Sequence, residues 1–240
     1  MTPSDNPGRR RAASPERPLR PVAVPGDVHV APLTPARWAD LEALFGPGGA
    51  CGGCWCMWWR RTRREFEAAK GDGNRRAFKA VVRAGPPPGL IAYRGGAPAG
   101  WCQVTPREVL PGLDRSPLLR RVDDVPVWAI SCFFVKADHR GYGLTGALIA
   151  AAKAFARDNG AKVLEAYPWD ARVRKSPSTI FTGWAATFAR HGFRVVARRV
   201  SRRPIMRCAL DTFAPPEDGG KGTHEGGPAG GALRRPLRGS

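Results

Sequence analysis

At 240 residues, 42% of them hydrophobic and 25% charged, the chain is long enough for one well-buried domain with tails and too short for two large ones. Its 39 lysines and arginines against 20 acids leave a formal charge of +19, a field that draws anions. No stretch approaches the roughly 18 uninterrupted apolar residues of a membrane span, and the start lacks the apolar centre of a secretory signal, so a cytoplasmic protein is expected. Its six cysteines are then expected as reduced thiols rather than a disulfide framework.

Residues 1–26 hold five arginines against two acids, much proline and almost no apolar periodicity, so they are expected to form a disordered tail. Residues 212–240, rich in glycine and proline, read as a second such tail, which leaves a domain over residues 27–211 carrying most of the positive charge. Val28 to Pro32 reads as a strand, and Thr34-Pro35 as the start of a helix that runs to Phe45 with Trp38, Leu41, Leu44 and Phe45 on one face. It stops at Gly46-Pro47-Gly48-Gly49.

Cys51, Cys54 and Cys56 follow. Three thiols within six residues invite a metal, but Cys54-x-Cys56 is tighter than finger spacing and no matching Cys/His pair appears, so no metal is expected. Arg61 to Lys70 reads as a helix, and Asn74 as the cap of another whose Phe78, Val81 and Val82 recur at helical spacing until Gly85. Gly89 to Tyr93 and Ala99 to Thr105 alternate as strands about Arg94-Gly95-Gly96-Ala97-Pro98, a hairpin.

From Val127 an apolar strand runs to Val135, passes through Lys136 to Arg140, and meets Gly141-Tyr142-Gly143-Leu144-Thr145-Gly146 and an alanine-rich helix. Small residues at a helix start leave backbone N–H groups unpaired with the positive end of the dipole behind them, which makes a phosphate site. Gly141-x-Gly143-x-x-Gly146 matches the dinucleotide fingerprint, with Glu165 near the spacing of a ribose-binding acid. A dinucleotide fold, however, meets its first glycine directly off the strand, and too little chain follows to complete a doubly wound sheet. The other pattern, Arg/Gln-x-x-Gly-x-Gly/Ala, is met by Arg140, Gly143 and, with a departure, Thr145.

This second pattern resembles the acyl-CoA motif of the GNAT acetyltransferases. The context is similar too: a strand ending in Phe133-Phe134-Val135, the turn, a helix, a strand Lys162 to Tyr167, and Phe188-Ala189-Arg190-His191-Gly192-Phe193 leading to a closing strand. Cys54-Trp55-Cys56-Met57-Trp58-Trp59-Arg60 and Phe181-Thr182-Gly183-Trp184 resemble one bacterial branch of that family. The resemblance implies an α/β (α+β) fold with a central mixed sheet and helices on both sides. It implies an N-acetyltransferase that moves an acetyl group from acetyl-CoA to a primary amine of a small molecule by direct attack on the thioester.

The resemblance also implies roles. Arg140 and the amides of Gly141, Tyr142, Gly143, Leu144, Thr145 and Gly146 would hold the pyrophosphate, and the backbone of Phe134 and Val135 the pantetheine arm; Thr145 would donate its hydroxyl. Trp55, Met57, Trp58 and Trp59 fall in the segment that walls the acceptor site, although tryptophan and methionine at this density also build cores. Many members place a tyrosine proton donor where this chain has Phe188, and a glutamate on the strand before the turn, where Val127 to Phe133 holds no acid.

Glu165 and Tyr167, two apart on one strand face, are the expected substitutes, with Ser131 and Cys132 behind them and a structural pairing of Glu165 with an arginine as the other reading. These gaps keep a second function open, a CoA- or anion-binding module without catalysis. A third, nucleic-acid binding, is disfavoured because the basic residues spread over several elements and no nucleic-acid motif appears. A polycationic acceptor is disfavoured by the same charge, and a homodimer is compatible with the pattern. Asp170 to Lys175 reads as a solvated polar loop.

Overall fold

Period-two alternation and short apolar runs produce seven strands: β1 (Val28–Pro32), β2 (Gly89–Arg94), β3 (Ala97–Pro106), β4 (Trp128–Val135), β5 (Val163–Ala166), β6 (Arg194–Ala197) and β7 (Ile205–Ala209). In the computed structural model, which describes residues 28–170 and 180–210, they form one mixed sheet in the order β1-β2-β3-β4-β5-β7-β6. Every neighbouring pair is antiparallel except β4 and β5. The expected α+β architecture is therefore the one that forms. Both expected tails, and residues 171–175 of the polar loop, lie outside the described residues.

Among the described residues there are six α-helices: α1 (Trp38–Phe45), α2 (Arg63–Ala68), α3 (Asp72–Ala84), α4 (Pro111–Asp114), α5 (Leu144–Asp158) and α6 (Ala185–Arg190). Strand alternation sends Leu90, Ala92, Cys102, Ile130 and Phe133 to one face. There they meet Leu144, Leu148, Ala151, Ala152 and Phe155, the i, i+4, i+7, i+8, i+11 stripe of α5. Ile91, Tyr93, Trp101 and Cys132 point to the other face, against Leu41, Leu44 and Phe45 of α1, Phe78 and Val82 of α3, and Trp55. Each fully buried Leu or Phe contributes about 1.5–3 kcal/mol, so these two layers dominate stability. Among the described residues, no helix is long and apolar enough to cross a membrane.

Several local expectations are corrected. The first helix begins as a 3-10 turn over Pro35–Arg37, and the Thr34 side chain makes no capping bond. Thr62 is the better cap: it accepts from the Glu65 N–H at 3.3 Å, while the Glu65 carboxylate accepts from the Thr62 N–H at 2.8 Å. Asn74 caps nothing. It lies inside α3, fully buried, and its amide donates to the carbonyls of Gly53 and Phe66, tying the cysteine loop to the helix. Gly53 can have no side chain there, since a Cβ would sit 2.5 Å from the Gly71 nitrogen. One closing strand was expected after α6 and two form, because the turn between β6 and β7 contains no glycine to mark it.

Candidate active site

The turn after β4 adopts the geometry of an anion cradle. A 3-10 turn over Ala137–His139 leads to Arg140, and then Gly141 and Gly143 take φ of +83° and +75°. Gly143 is the left-handed N-cap of α5, whose first backbone bond runs from the Ala147 N–H to the Gly143 carbonyl at 3.1 Å. The amides of Leu144, Thr145 and Gly146 thus precede the first closed turn and face outward. A Cβ on Gly141 or Gly143 would meet nothing within 4 Å, so the space above both is open, while the positive φ disfavours any side chain.

Exposed Arg140 donates its Nε–H to the Val135 carbonyl at 3.2 Å, which ties it to the end of β4. Tyr142 is exposed and lies 3.5 Å beneath the Arg94 guanidinium. Gly146 has a packing reason as well, since a Cβ there would sit 3.0 Å from His191 Nε2. His191 itself is held below the usual imidazole range by burial, then by Lys153 and Arg190.

Beside the turn the sheet opens. β4 pairs with β5 only from Trp128 to Ile130, so the β5 side of Ser131 to Val135 is released from the ladder. The Phe133 N–H donates instead to the Phe181 carbonyl at 2.6 Å. A cavity of about 420 Å³ lies alongside, lined by Phe134 at the end of β4 and by Arg140 of the turn. Its walls include the aromatic side chains of Trp58, Trp59, Phe66, Phe133 and Phe181.

The four expected acceptor-site residues divide. Trp58 and Trp59 line the cavity; Trp55 and Met57 do not, and are 2% and 6% exposed in the core. Trp55 and Cys56 take left-handed φ values of 41° and 56°, a reversal that turns the Trp55 ring between Trp38 and Phe45 while Trp58 and Trp59 face the cavity. Polar side chains of the sheet hold this loop. Trp59 Nε1–H donates to the Ser131 carbonyl at 3.2 Å, Ser131 Oγ to Gln103 Oε1 at 3.0 Å, and Gln103 Nε2 to the Cys56 carbonyl at 3.3 Å.

Glu165 and Tyr167, the expected proton carriers, lie in a buried network. Both are buried to within 1% and neither lines the cavity. Arg107 Nη1 donates to Glu165 Oε1 at 2.9 Å and to the Tyr167 hydroxyl at 2.6 Å, and Tyr167 donates to the same carboxylate oxygen at 2.6 Å. Arg207 Nε holds Glu165 Oε2 at 2.8 Å. Burial, then the Glu165 charge, pushes the Tyr167 hydroxyl well above its usual range. Arg107, buried to 1% and bonded also to Asp114 and the Leu119 carbonyl, is the centre of this network. The structural pairing weighed for Glu165 is what the fold contains.

Phe188 is fully buried with its ring 5.9 Å from Phe133 and 5.0 Å from Phe193. Sequence reasoning missed Gln103, Phe181 and the direction of Cys54 and Cys56, both of which line the cavity with Cys132. Gln103 had a signal, a lone amide in an apolar strand. Burial, then Cys56, pushes the Cys54 thiol up to about 11. The hydrogen bond to Cys56, then burial, pushes the Cys132 thiol well up. Among the described residues, no group of three or more His, Cys, Asp or Glu side chains is arranged to hold a metal ion.

The sequence profile of the acetyltransferase (GNAT) family matches residues 55–175. No curated protein matches the chain. Similar solved structures include the PaiA N-acetyltransferase of Thermoplasma acidophilum in complex with coenzyme A, at 12% identity over 76% of this chain and 98% of that one, TM-score 0.43. A GNAT-family acetyltransferase of Listeria monocytogenes aligns at 12% identity over 80% and 100%, TM-score 0.49. An N-acetyltransferase of Staphylococcus aureus aligns at 11% over 78% and 100%, TM-score 0.46.

Proposed function

The chain belongs to the GNAT family of acetyltransferases, and from that premise we propose that it uses acetyl-CoA to acetylate a primary amine of a small molecule. The observation that carries this reading is that one cavity is lined by both Phe134, at the released end of β4, and Arg140, at the start of the turn. Phosphates held by Arg140 and the amides from Gly141 to Gly146 leave the pantetheine arm to run along the released edge of β4 at Phe134 and Val135, with the acetyl group at the cavity. The 27–211 segment is then the catalytic domain.

The walls narrow the acceptor. Glu67 is the one carboxylate at the cavity among the described residues, and it is already paired with Arg63 at 2.9 Å and Lys70 at 3.7 Å. With Lys70 and Arg140 also present, a polycation is repelled, whereas a neutral, aromatic or anionic amine is accommodated. Aromatic walls also desolvate an entering ammonium and favour the neutral amine, which reduces the need for a strong base. The amine then meets the acetyl group on CoA, the direct attack on the thioester that the resemblance implies.

A second reading, CoA binding without catalysis, draws on Phe188, which has no exchangeable proton, and on Glu165 and Tyr167, which are tied to arginines and do not line the cavity. Thiol release from acetyl-CoA across a panel of aromatic, anionic and polycationic amines separates the two. Release matched by amide formation supports the transferase. CoA binding with no thiol release on any amine supports the binding module.

A further inference from the structure

The cavity contains a buried amide that the transfer described above does not use. Gln103 lies on β3 opposite Cys132 of β4, is 1% exposed and lines the cavity. The charged residues of the same walls, Glu67, Lys70 and Arg140, are exposed, so Gln103 is the strong hydrogen-bonding side chain at depth. The other buried residues there, Cys56, Trp59, Phe66, Cys132 and Phe133, present carbon or weakly bonding sulfur, and the Trp59 Nε1–H is already given to the Ser131 carbonyl.

The amide is oriented from both ends. The Cys56 carbonyl can only accept, so the atom facing it at 3.3 Å is Nε2, and Oε1 accepts from the Ser131 hydroxyl at 3.0 Å. A flipped amide would set one carbonyl oxygen against another. With the bond from Trp59 to the Ser131 carbonyl, these contacts close a ring that joins the cavity loop to β3 and β4 around the amide. Nε2 carries two N–H groups and Cys56 takes one; the other has no partner among the described residues. A buried donor is costly to leave unpaired, so a molecule that fills this cavity binds best when it brings an acceptor atom to that N–H.

We infer that Gln103 sets acceptor specificity by donating its free N–H to an oxygen of the amine, so that the acceptor is an amine with a carbonyl or carboxylate oxygen close to its nitrogen. This rests on the acetyl-CoA reading of the turn. Strand pairing puts the Gln103 backbone about 5 Å from Cys132, and Phe134, where the pantetheine arm passes, lies about 7 Å further along β4. The reacting nitrogen and the donor are therefore a short span apart, which an oxygen on the carbon next to the amine-bearing carbon bridges. A neutral donor serves a carbonyl and a carboxylate alike. It rejects a second ammonium, which has no lone pair to offer, so the depth of the cavity selects against polycations as its mouth does.

The test compares acetylation of 2-phenylethylamine and phenylalanine amide, which differ by one carboxamide, by the full chain with acetyl-CoA, rates being taken per neutral amine. Expected is a preference for phenylalanine amide. Gln103→Leu lowers kcat/KM for phenylalanine amide by about 10- to 100-fold more than for 2-phenylethylamine, mainly through KM, while thermal stabilisation by acetyl-CoA persists. Ser131→Ala frees the amide to turn and lowers the same ratio by a smaller factor. Any general loosening of the loop acts on both amines and cancels in the ratio. Should Gln103→Leu fail to fold, the wild-type preference and the Ser131→Ala ratio decide. Equal rates on the two amines, equal losses in Gln103→Leu, or turnover of neither with acetyl-CoA bound overturn the inference and leave the transferase reading to the wider amine panel. Absence of acetyl-CoA binding overturns both.

Discussion

Replacing Glu165 by glutamine separates a structural charge from a reacting one. The carboxylate is 1% exposed and serves two arginines, Arg107 at 2.9 Å and Arg207 at 2.8 Å, with the Tyr167 hydroxyl as a third donor. Neutralising one member of a buried ion pair typically costs about 3–5 kcal/mol, because the remaining charge stays buried without compensation. Arg107 keeps Asp114 at 2.6 Å and the Leu119 carbonyl, and Arg207 keeps Asp123 at 2.7 Å, so the loss falls at the lower end, about 3 kcal/mol. For a domain of this size that is a fall in melting temperature of about 6–12 °C. Thermal melts of wild type and Glu165→Gln measure it, with acetyl-CoA turnover below the melt as control. A melting temperature within about 2 °C of wild type, with turnover lost by about 10² or more, refutes the structural assignment and restores Glu165 as a proton carrier.

Arg140→Ala removes one charge-assisted phosphate contact, worth about 1.5–3 kcal/mol, and weakens acetyl-CoA binding by roughly 10- to 100-fold in calorimetry; unchanged affinity places the phosphates elsewhere. Because burial keeps the Cys54 thiol protonated up to about 11, iodoacetamide at pH 8 labels exposed Cys51 well before Cys54, whose rate rises about tenfold per pH unit toward 11; equal rates at pH 8 contradict this. A chain from Asp27 to Thr212 keeps the melting temperature and CoA affinity of the full chain, and a large loss of either means that a terminal segment docks on the domain. Elemental analysis of protein purified without chelators finds no stoichiometric zinc, and one tightly held zinc per chain overturns the reading of Cys51, Cys54 and Cys56.

The parts of the structure that were legible are those governed by local physics. The β2–β3 hairpin, α5 and the turn between Arg140 and Gly146 each follow from periodicity, glycine and helix-end chemistry within about a dozen residues of one another. What escaped depends on contacts far apart in sequence. Asn74 looks like a cap until Gly53 and Phe66 are seen to claim its amide. Glu165 looks like a titrating acid until Arg107, 58 residues earlier, closes on it. Trp55 and Trp58 are indistinguishable by residue type, and the left-handed turn at Trp55 and Cys56, which no glycine announces, sends one to the core and the other to the cavity.

The central claim is that the turn from Arg140 to Gly146 holds CoA rather than a dinucleotide, and a thermal-shift comparison of acetyl-CoA, CoA and NAD tests it most directly. A ligand at a hundredfold excess over its dissociation constant adds about 2.7 kcal/mol, or about 5–11 °C here. Acetyl-CoA and CoA are predicted to raise the melting temperature by that much and NAD to leave it unchanged. Stabilisation by NAD alone, or by none of the three, contradicts the account.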